Sequence, residues 1–243
     1  MLRAQLQTAV SLIYPPRCIT CGGLVQSDFG LCSGCWRETE FLGEAGCDGC
    51  AVPLPAGAPG EVLLCDACMQ SPPVWTQGRA ALAYRSTGRK LVLALKHGDR
   101  QEIARPASVW MAQRCAALRG TGALVVPVPL HWRRLVKRRY NQSALLARAL
   151  VRELDLPWCP DALVRPRATP SLDGKTREER FAILAGAIVA HPKRADLFQD
   201  RSILLVDDVL TSGATLGAAT HACIAAGARD VRVVTLARVV KDA

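Results

Sequence analysis

Residues 203–215 read ILLVDDVLTSGAT, and no other stretch restricts what the chain can fold into so tightly. Ile203, Leu204, Leu205 and Val206 form an unbroken apolar run, the composition of a parallel strand buried on both faces. Asp207 and Asp208 come together where such a strand leaves the sheet, the edge at which open α/β sheets bind ligands. Thr211, Ser212, Gly213, Ala214 and Thr215 follow at once. Their small side chains leave backbone N–H groups unobstructed at a helix start, which makes a cradle for an anion. Carboxylates accept hydrogen bonds from sugar hydroxyls while the cradle takes a phosphate, so the segment is expected to hold a phosphorylated ribose. Two solvated acids before a capped helix is the plainer alternative, and it leaves the order of acids, hydroxyls and glycine without a reason.

The flanking sequence provides the rest of such a sheet. Short strands are expected at Ala80–Tyr84 and Val231–Ala237, and buried ones at Ala123–Val128 and Ser202–Asp207. Helices are expected at Arg89–His97, Glu102–Arg119, Gln142–Leu154 and Thr215–Ala226, the last stopped by Gly227. Leu145, Leu146, Ala149 and Leu150 share one face of the third helix, with Asn141 as its N-cap. Strands alternating with helices imply an α/β domain, a mainly parallel sheet covered by helices on both faces.

The 243 residues leave room for a smaller module. Composition changes near residues 70–75, where paired cysteines give way to Ser71, Pro72 and Pro73. Residues 1–70 are accordingly expected to form a Cys-rich module, and 71–243 the α/β domain. No apolar run approaches the roughly 20 residues of a membrane-spanning helix. The opening MLRAQLQTAVSLIYPPRC has neither a long apolar core nor a small-residue cleavage site. A cytoplasmic, reducing location is expected, where an abundance of cysteine points to metal rather than disulfides.

Eight of the eleven cysteines form four CxxC pairs: Cys18 and Cys21, Cys32 and Cys35, Cys47 and Cys50, Cys65 and Cys68. Each pair presents two thiolates from one knuckle, and two knuckles complete a tetrahedral Zn²⁺ site, so two zincs are expected. With four cysteine ligands per metal no position is left for water, which makes the sites structural. Sequential ribbons and an interleaved cross-brace use the same ligands, and spacing does not choose between them. Cys115, Cys159 and Cys223 read as small core residues, and the four histidines lack metal-ligand spacing and receive no catalytic role.

The net charge of +10 is unevenly spread. Residues 1–70 hold three basic side chains against seven acidic ones, and the remainder 28 against 14. An acidic module, made more so by two anionic Cys₄ sites, suits a protein partner or the neighbouring domain better than a phosphate backbone. The basic excess peaks at Arg133–Arg139, five cations in seven residues flanked by Trp132 and Tyr140. Such density suits a pyrophosphate or nucleic-acid phosphates, where a solvated helix face is the plainer reading.

The strand, acidic pair and Thr/Ser/Gly loop resemble the signature of type I phosphoribosyltransferases for 5-phosphoribosyl 1-pyrophosphate. Four CxxC pairs, then Lys96 in LKHGD, VPVPL at Val126, Pro127, Val128, Pro129 and Leu130, and RRYNQSALLA from Arg138 resemble the ComF family, related to competence proteins of DNA uptake. The likeness covers nearly the whole chain, in the family's order. It implies ribose hydroxyls on Asp207 and Asp208, the 5-phosphate on Thr211–Thr215, and pyrophosphate facing the Val126–Leu130 loop and Arg138. Mg²⁺ would accompany the activated sugar. Where relatives commonly have RGFNQ this chain has Arg138, Arg139, Tyr140, Asn141 and Gln142. Glutamine is common at Leu172, asparagine where Ile183 aligns, and purine-type relatives carry an acidic base at Thr211.

Three functions follow as expectations. One is Mg²⁺-assisted phosphoribosyl transfer to an acceptor not identified by the sequence. The second is a pocket used as a sensor or phosphate contact, with single-stranded DNA on Arg133–Arg139. The third is a scaffold whose zinc module recruits DNA-uptake or recombination proteins.

Overall fold

The structure, a computed structural model, describes residues 14–58, 60–170 and 174–240. The reading of the first thirteen residues and the position of Leu172 fall outside them. Four parallel strands form the main sheet: β1 (Gln77–Ala83), β2 (Leu124–Pro127), β5 (Ser202–Leu210) and β6 (Asp230–Arg238), in the order β1-β6-β5-β2. Between β1 and β2 run α3 (Ser86–His97) and α4 (Ala104–Arg114). Between β2 and β5 run α5 (Trp132–Arg138), α6 (Gln142–Leu154), the ribbon strands β3 (Leu163–Val164) and β4 (Val189–Ala190), and α7 (Arg177–Leu184). Helix α8 (Ala214–Ala225) returns β5 to β6. The parallel α/β expectation holds.

The period-two alternation of strands divides the core into two layers. Leu204 and Val206 of β5 join Val234 and Leu236 of β6 beneath α3, α4 and α6. Ile203 and Leu205, with Val231 and Val233, face α8 on the other side. Burial on both faces is why these strands read as continuous apolar runs.

Element limits shift where pairing or caps override local composition. Strand β1 starts at Gln77 rather than Ala80, because its first residues pair with Arg232 and Val233 of β6. The expected helix 102–119 is α4 with a single 3₁₀ turn at each end, Gln101–Ile103 and Ala116–Leu118. Strand β5 runs three residues beyond Asp207, because its ladder to β6 continues to the Leu210–Arg238 pair. Strand β2 stops at Pro127, opposite Val206. The acidic pair therefore lies within β5 but past the end of β2, in a notch that opens where the neighbouring strand gives out.

The Cys-rich segment, with two one-turn helices α1 (Ser33–Arg37) and α2 (Asp66–Gln70), packs onto the edge carrying β1. Leu42 N–H donates to Ala81 O at 2.9 Å and Ala83 N–H to Glu40 O at 2.9 Å. Ile19 joins the α3/α4 layer, whereas Cys47, Cys50 and Cys68 join the α8 layer. Cys115, Cys159 and Cys223 are buried. Among the described residues no helix is long and apolar enough to cross a membrane.

Candidate functional site

The eight CxxC cysteines converge in two sets, Cys18, Cys21, Cys32 and Cys35, then Cys47, Cys50, Cys65 and Cys68, the ligand atoms of each set lying within 4.8 Å of one another. The ribbons are sequential. Ligands about 2.3 Å from a tetrahedral zinc stand about 3.8 Å apart, and the Cys21–Cys32 and Cys50–Cys65 sulfurs are each separated by 3.7 Å. All eight are free thiols, so the spacing is that of metal ligands rather than of disulfides. Backbone N–H groups turn toward the sulfurs, Cys32 N–H to Cys18 and Cys65 N–H to Cys47, both at 3.3 Å. Burial opposes ionisation of Cys18, but N–H groups of Cys21, Cys32 and Thr20 outweigh it and draw the thiol down to about 6. Such a thiol gives up its proton readily to a metal.

Beyond the end of β2, the start of α6 meets the acidic pair. Asn141 caps the helix, accepting from Ser143 N–H at 3.1 Å, and its amide donates to Val128 O at 2.9 Å, fixing the 126–130 loop. Ser143 Oγ donates to Asp207 Oδ1 at 2.8 Å, an oxygen that also accepts from Asp208 N–H at 2.9 Å. Asp208 pairs with Lys96 Nζ at 3.2 Å and receives Gln142 Nε2 at 3.5 Å. Burial and the neighbouring Asp208 charge push the Asp207 carboxyl up to about 7, against Ser143, the Asp208 N–H and Lys96. Two adjacent carboxylates in a closing notch repel, and one cation meets the charge of only one of them.

The loop after β5 turns at Gly213, whose φ of 84° is left-handed. Gly213, the N-cap of α8, has no side chain to cap the helix, and Ala214 N–H donates to Ser212 Oγ at a long 3.5 Å. N–H groups at such a helix start are those that an anion satisfies. Helix α7 lies across this end: Leu184 and Ala187 pack on Ala214, and Phe181 approaches Gly217.

Residues 9–71 match the double zinc ribbon domain, and 141–242 the phosphoribosyl transferase domain. The chain is 32% identical to the DNA utilization protein YhgH of Escherichia coli (strain K12), covering 93% of itself and 99% of that protein. It is 30% identical to Competence protein F of Haemophilus influenzae, covering 91% and 96% respectively. The chain belongs to the ComF family. A Staphylococcus aureus hypoxanthine phosphoribosyltransferase structure aligns over 57% of this chain and 62% of its own at TM-score 0.34 and 17% identity, too distant to bear on the site.

The cations of the basic run have different neighbours. Helix α5 buries none of its side chains, and its cations part company. Lys137 and Arg138 stand with Lys96 around His97, whose pKa is lowered by burial and then by these charges, Arg138 first. Arg134 donates to the carbonyls of Thr169 and Pro170 at 3.3 Å. Arg133 lies 5.4 Å from the exposed Trp132 ring, and Arg139 is exposed. Two histidines without catalytic assignment cap helical turns: the Nδ1 atoms of His131 and His191 accept from Arg133 and Lys193 N–H.

Three contributors escaped the sequence reading. Lys96 and Gln142 were visible only as motif letters, and their meeting with Asp208 is tertiary. Arg165 carried no signal beyond a lone cation between Val164 and Pro166. It is 6% exposed, its Nε has no partner among the described residues, and its Nη2 donates to Thr169 Oγ1. It lines a groove of about 340 Å³ with Leu130, Trp132, Leu135 and Ala144. Burial and then Arg134 lower its pKa, and Asp207 acts the other way. A buried guanidinium without a carboxylate partner is the chemistry of an anion site.

Proposed function

We propose that the notch at the end of β2 binds 5-phosphoribosyl 1-pyrophosphate. Asp207 and Asp208 take the ribose hydroxyls, Thr211, Ser212, Gly213, Ala214 and Thr215 the 5-phosphate, and Val126–Leu130 with Arg138 faces the pyrophosphate. One observation carries the reading: two partly neutralised carboxylates precede, on one strand, a helix start whose N-cap is a glycine with no capping side chain. Lys96 leaves Asp208 for the incoming anion in this scheme, and Arg165 provides a second fixed charge. Mg²⁺ fits beside pyrophosphate oxygens, the hard ligands it prefers, and when bound it neutralises the leaving group.

Transfer to an acceptor is the enzymatic form of this proposal. Thr211 offers no carboxylate to take a proton, so an acceptor carrying its own acidic proton suits the site. The second form is a non-catalytic pocket in a protein of DNA uptake, as the names of the relatives indicate. It is favoured by α5, on which Trp132 is 60% exposed and Arg133 is exposed beside it, the stacking ring and cation that a single strand uses. A cytoplasmic location, the division at residue 70, and partners on the zinc module belong to the same proposal.

Titration calorimetry with the activated sugar and Mg²⁺ tests the pocket. Asp207→Asn with Asp208→Asn should weaken binding at least about 100-fold, since charged hydrogen bonds contribute about 1.5–3 kcal/mol each. Unchanged affinity would remove the assignment. Pyrophosphate release, screened over acceptors, separates an enzyme from a sensor.

A further inference from the structure

Trp75 lies in the segment that joins the zinc module to β1 and is 6% exposed. Its indole N–H donates to Gly49 O at 2.7 Å, and Gly49 sits between Cys47 and Cys50 in the knuckle of the second cluster. The far edge of the ring rests on the phosphate loop. A Cβ at Gly213 would come within 2.8 Å of it, and the left-handed φ disfavours other residues as well. One rigid ring therefore spans the metal knuckle and the residue at which the anion cradle turns.

Arg238, at the end of β6, makes the same span with charge. Its guanidinium donates to Leu210 O at 3.0 Å and Thr211 O at 2.7 Å, where the loop opens. It also lies against the Cys50 sulfur, within hydrogen-bonding reach. Gly78 closes the junction, its N–H donating to Asp48 O at 2.7 Å. The first cluster has different neighbours: its flanks meet β1, α3 and the α3–α4 connection through Leu42, Glu38 and Ile19.

We infer that the second zinc site, acting through Trp75 and Arg238, holds the 210–214 loop in its anion-binding shape, so that metal loading there governs phosphate affinity while the first site does not. The inference rests on the ribose-phosphate reading above. Zinc fixes the knuckle that carries both Gly49 O and the Cys50 sulfur against which Arg238 lies. A loop walled in this way loses little freedom when its ligand arrives. Coupling between two sites is reciprocal, so the ligand must hold the metal as firmly as the metal holds the loop for the ligand.

The test uses the full chain, with ribose 5-phosphate as probe. Cys21→Ser confines stable zinc to the second site. Zinc transfer from this chain to a coloured chelator should slow about tenfold at saturating ribose 5-phosphate, in the ordinary range of coupling. Arg238→Gln should abolish the slowing, and Arg238→Lys should restore part of it, which a merely structural role would not do. Conversely Cys65→Ser, lacking the second metal, should bind the probe about tenfold more weakly, while Cys21→Ser stays within about twofold of wild type. If the probe binds wild type but leaves zinc transfer unchanged, the coupling is wrong and the pocket stands. If neither ribose 5-phosphate nor the activated sugar binds the zinc-loaded chain, both fall. The transfer rate of the Cys21→Ser chain decides the matter even where the Arg238 and Cys65 variants fail to fold.

Discussion

The two cysteine clusters and the acidic notch are opposite kinds of site. In each cluster the ligands already stand at tetrahedral spacing with N–H groups turned to their sulfurs. In the notch Asp207 is forced toward its protonated form, Gln142 Oε1 is buried without a partner, and Arg165 Nε is likewise alone nearby. A site whose geometry its own ion completes stabilises the fold. A site awaiting a ligand retains costs that the ligand offsets, the pattern expected of functional positions. Removing side chains from the two should therefore change stability in opposite directions.

Cys50→Ser gives the largest expected effect. Structural zinc in small modules contributes on the order of 10 kcal/mol, and Cys50 is part of the α8 layer of the core. The melting temperature should fall by more than about 10 °C, and bound zinc should drop from two per chain to one. A cluster lost without thermal consequence would make the two regions alike.

Asp207→Asn should act in the other direction. A carboxyl raised from its ordinary value of 3.8 to about 7 on folding binds more protons folded than unfolded. Its contribution is fully present below about pH 3.8 and is lost as pH rises through about 7. Asparagine keeps an oxygen for Ser143 and carries no charge to lose. The variant should be the more stable protein above pH 7, by up to about 4 kcal/mol, with the advantage shrinking toward pH 5. Denaturant unfolding of both proteins across that range checks the sign, and the difference cancels the pH dependence of the zinc sites. A destabilised Asp207→Asn at pH 8 would mean that the notch, like the clusters, is a finished structural site.

Legibility in the sequence divided along the same line. Ile203–Val206 announced a buried strand because four apolar residues together suit few other places, and CxxC announced metal because two thiols on one knuckle have few other uses. The pairing of knuckles was not legible, since all four are interchangeable letters and only the chain path brings Cys18 to Cys32 and Cys47 to Cys65. The overrun of β5 to Leu210 depends on β6, 28 residues away at Arg238. Lys96 meets Asp208 across more than a hundred residues, and Trp75 meets Gly213 across a similar gap. Local patterns carry backbone state and ligand type, whereas which charges share a pocket is decided by packing.

The smallest predicted effect concerns the arm beside the notch. Arg139 ends α5 at φ 67°, in the left-handed region, where ComF relatives commonly carry glycine. That conformation costs a side-chain-bearing residue roughly 1–2 kcal/mol, while glycine gives back about 0.5–1 kcal/mol through its freer unfolded chain. Arg139 is exposed, so its removal sacrifices little packing. Arg139→Gly should therefore raise stability by about 0.5–1 kcal/mol, measured by denaturant unfolding at fixed salt, leaving zinc content at two. The strain is retained because the turn delivers Tyr140, whose hydroxyl donates to Leu95 O at 2.7 Å beside Lys96, and then Asn141, which fixes Val128. If the glycine variant is less stable, Arg139 has a partner that repays its conformation, and the arm belongs with the finished sites rather than with the notch.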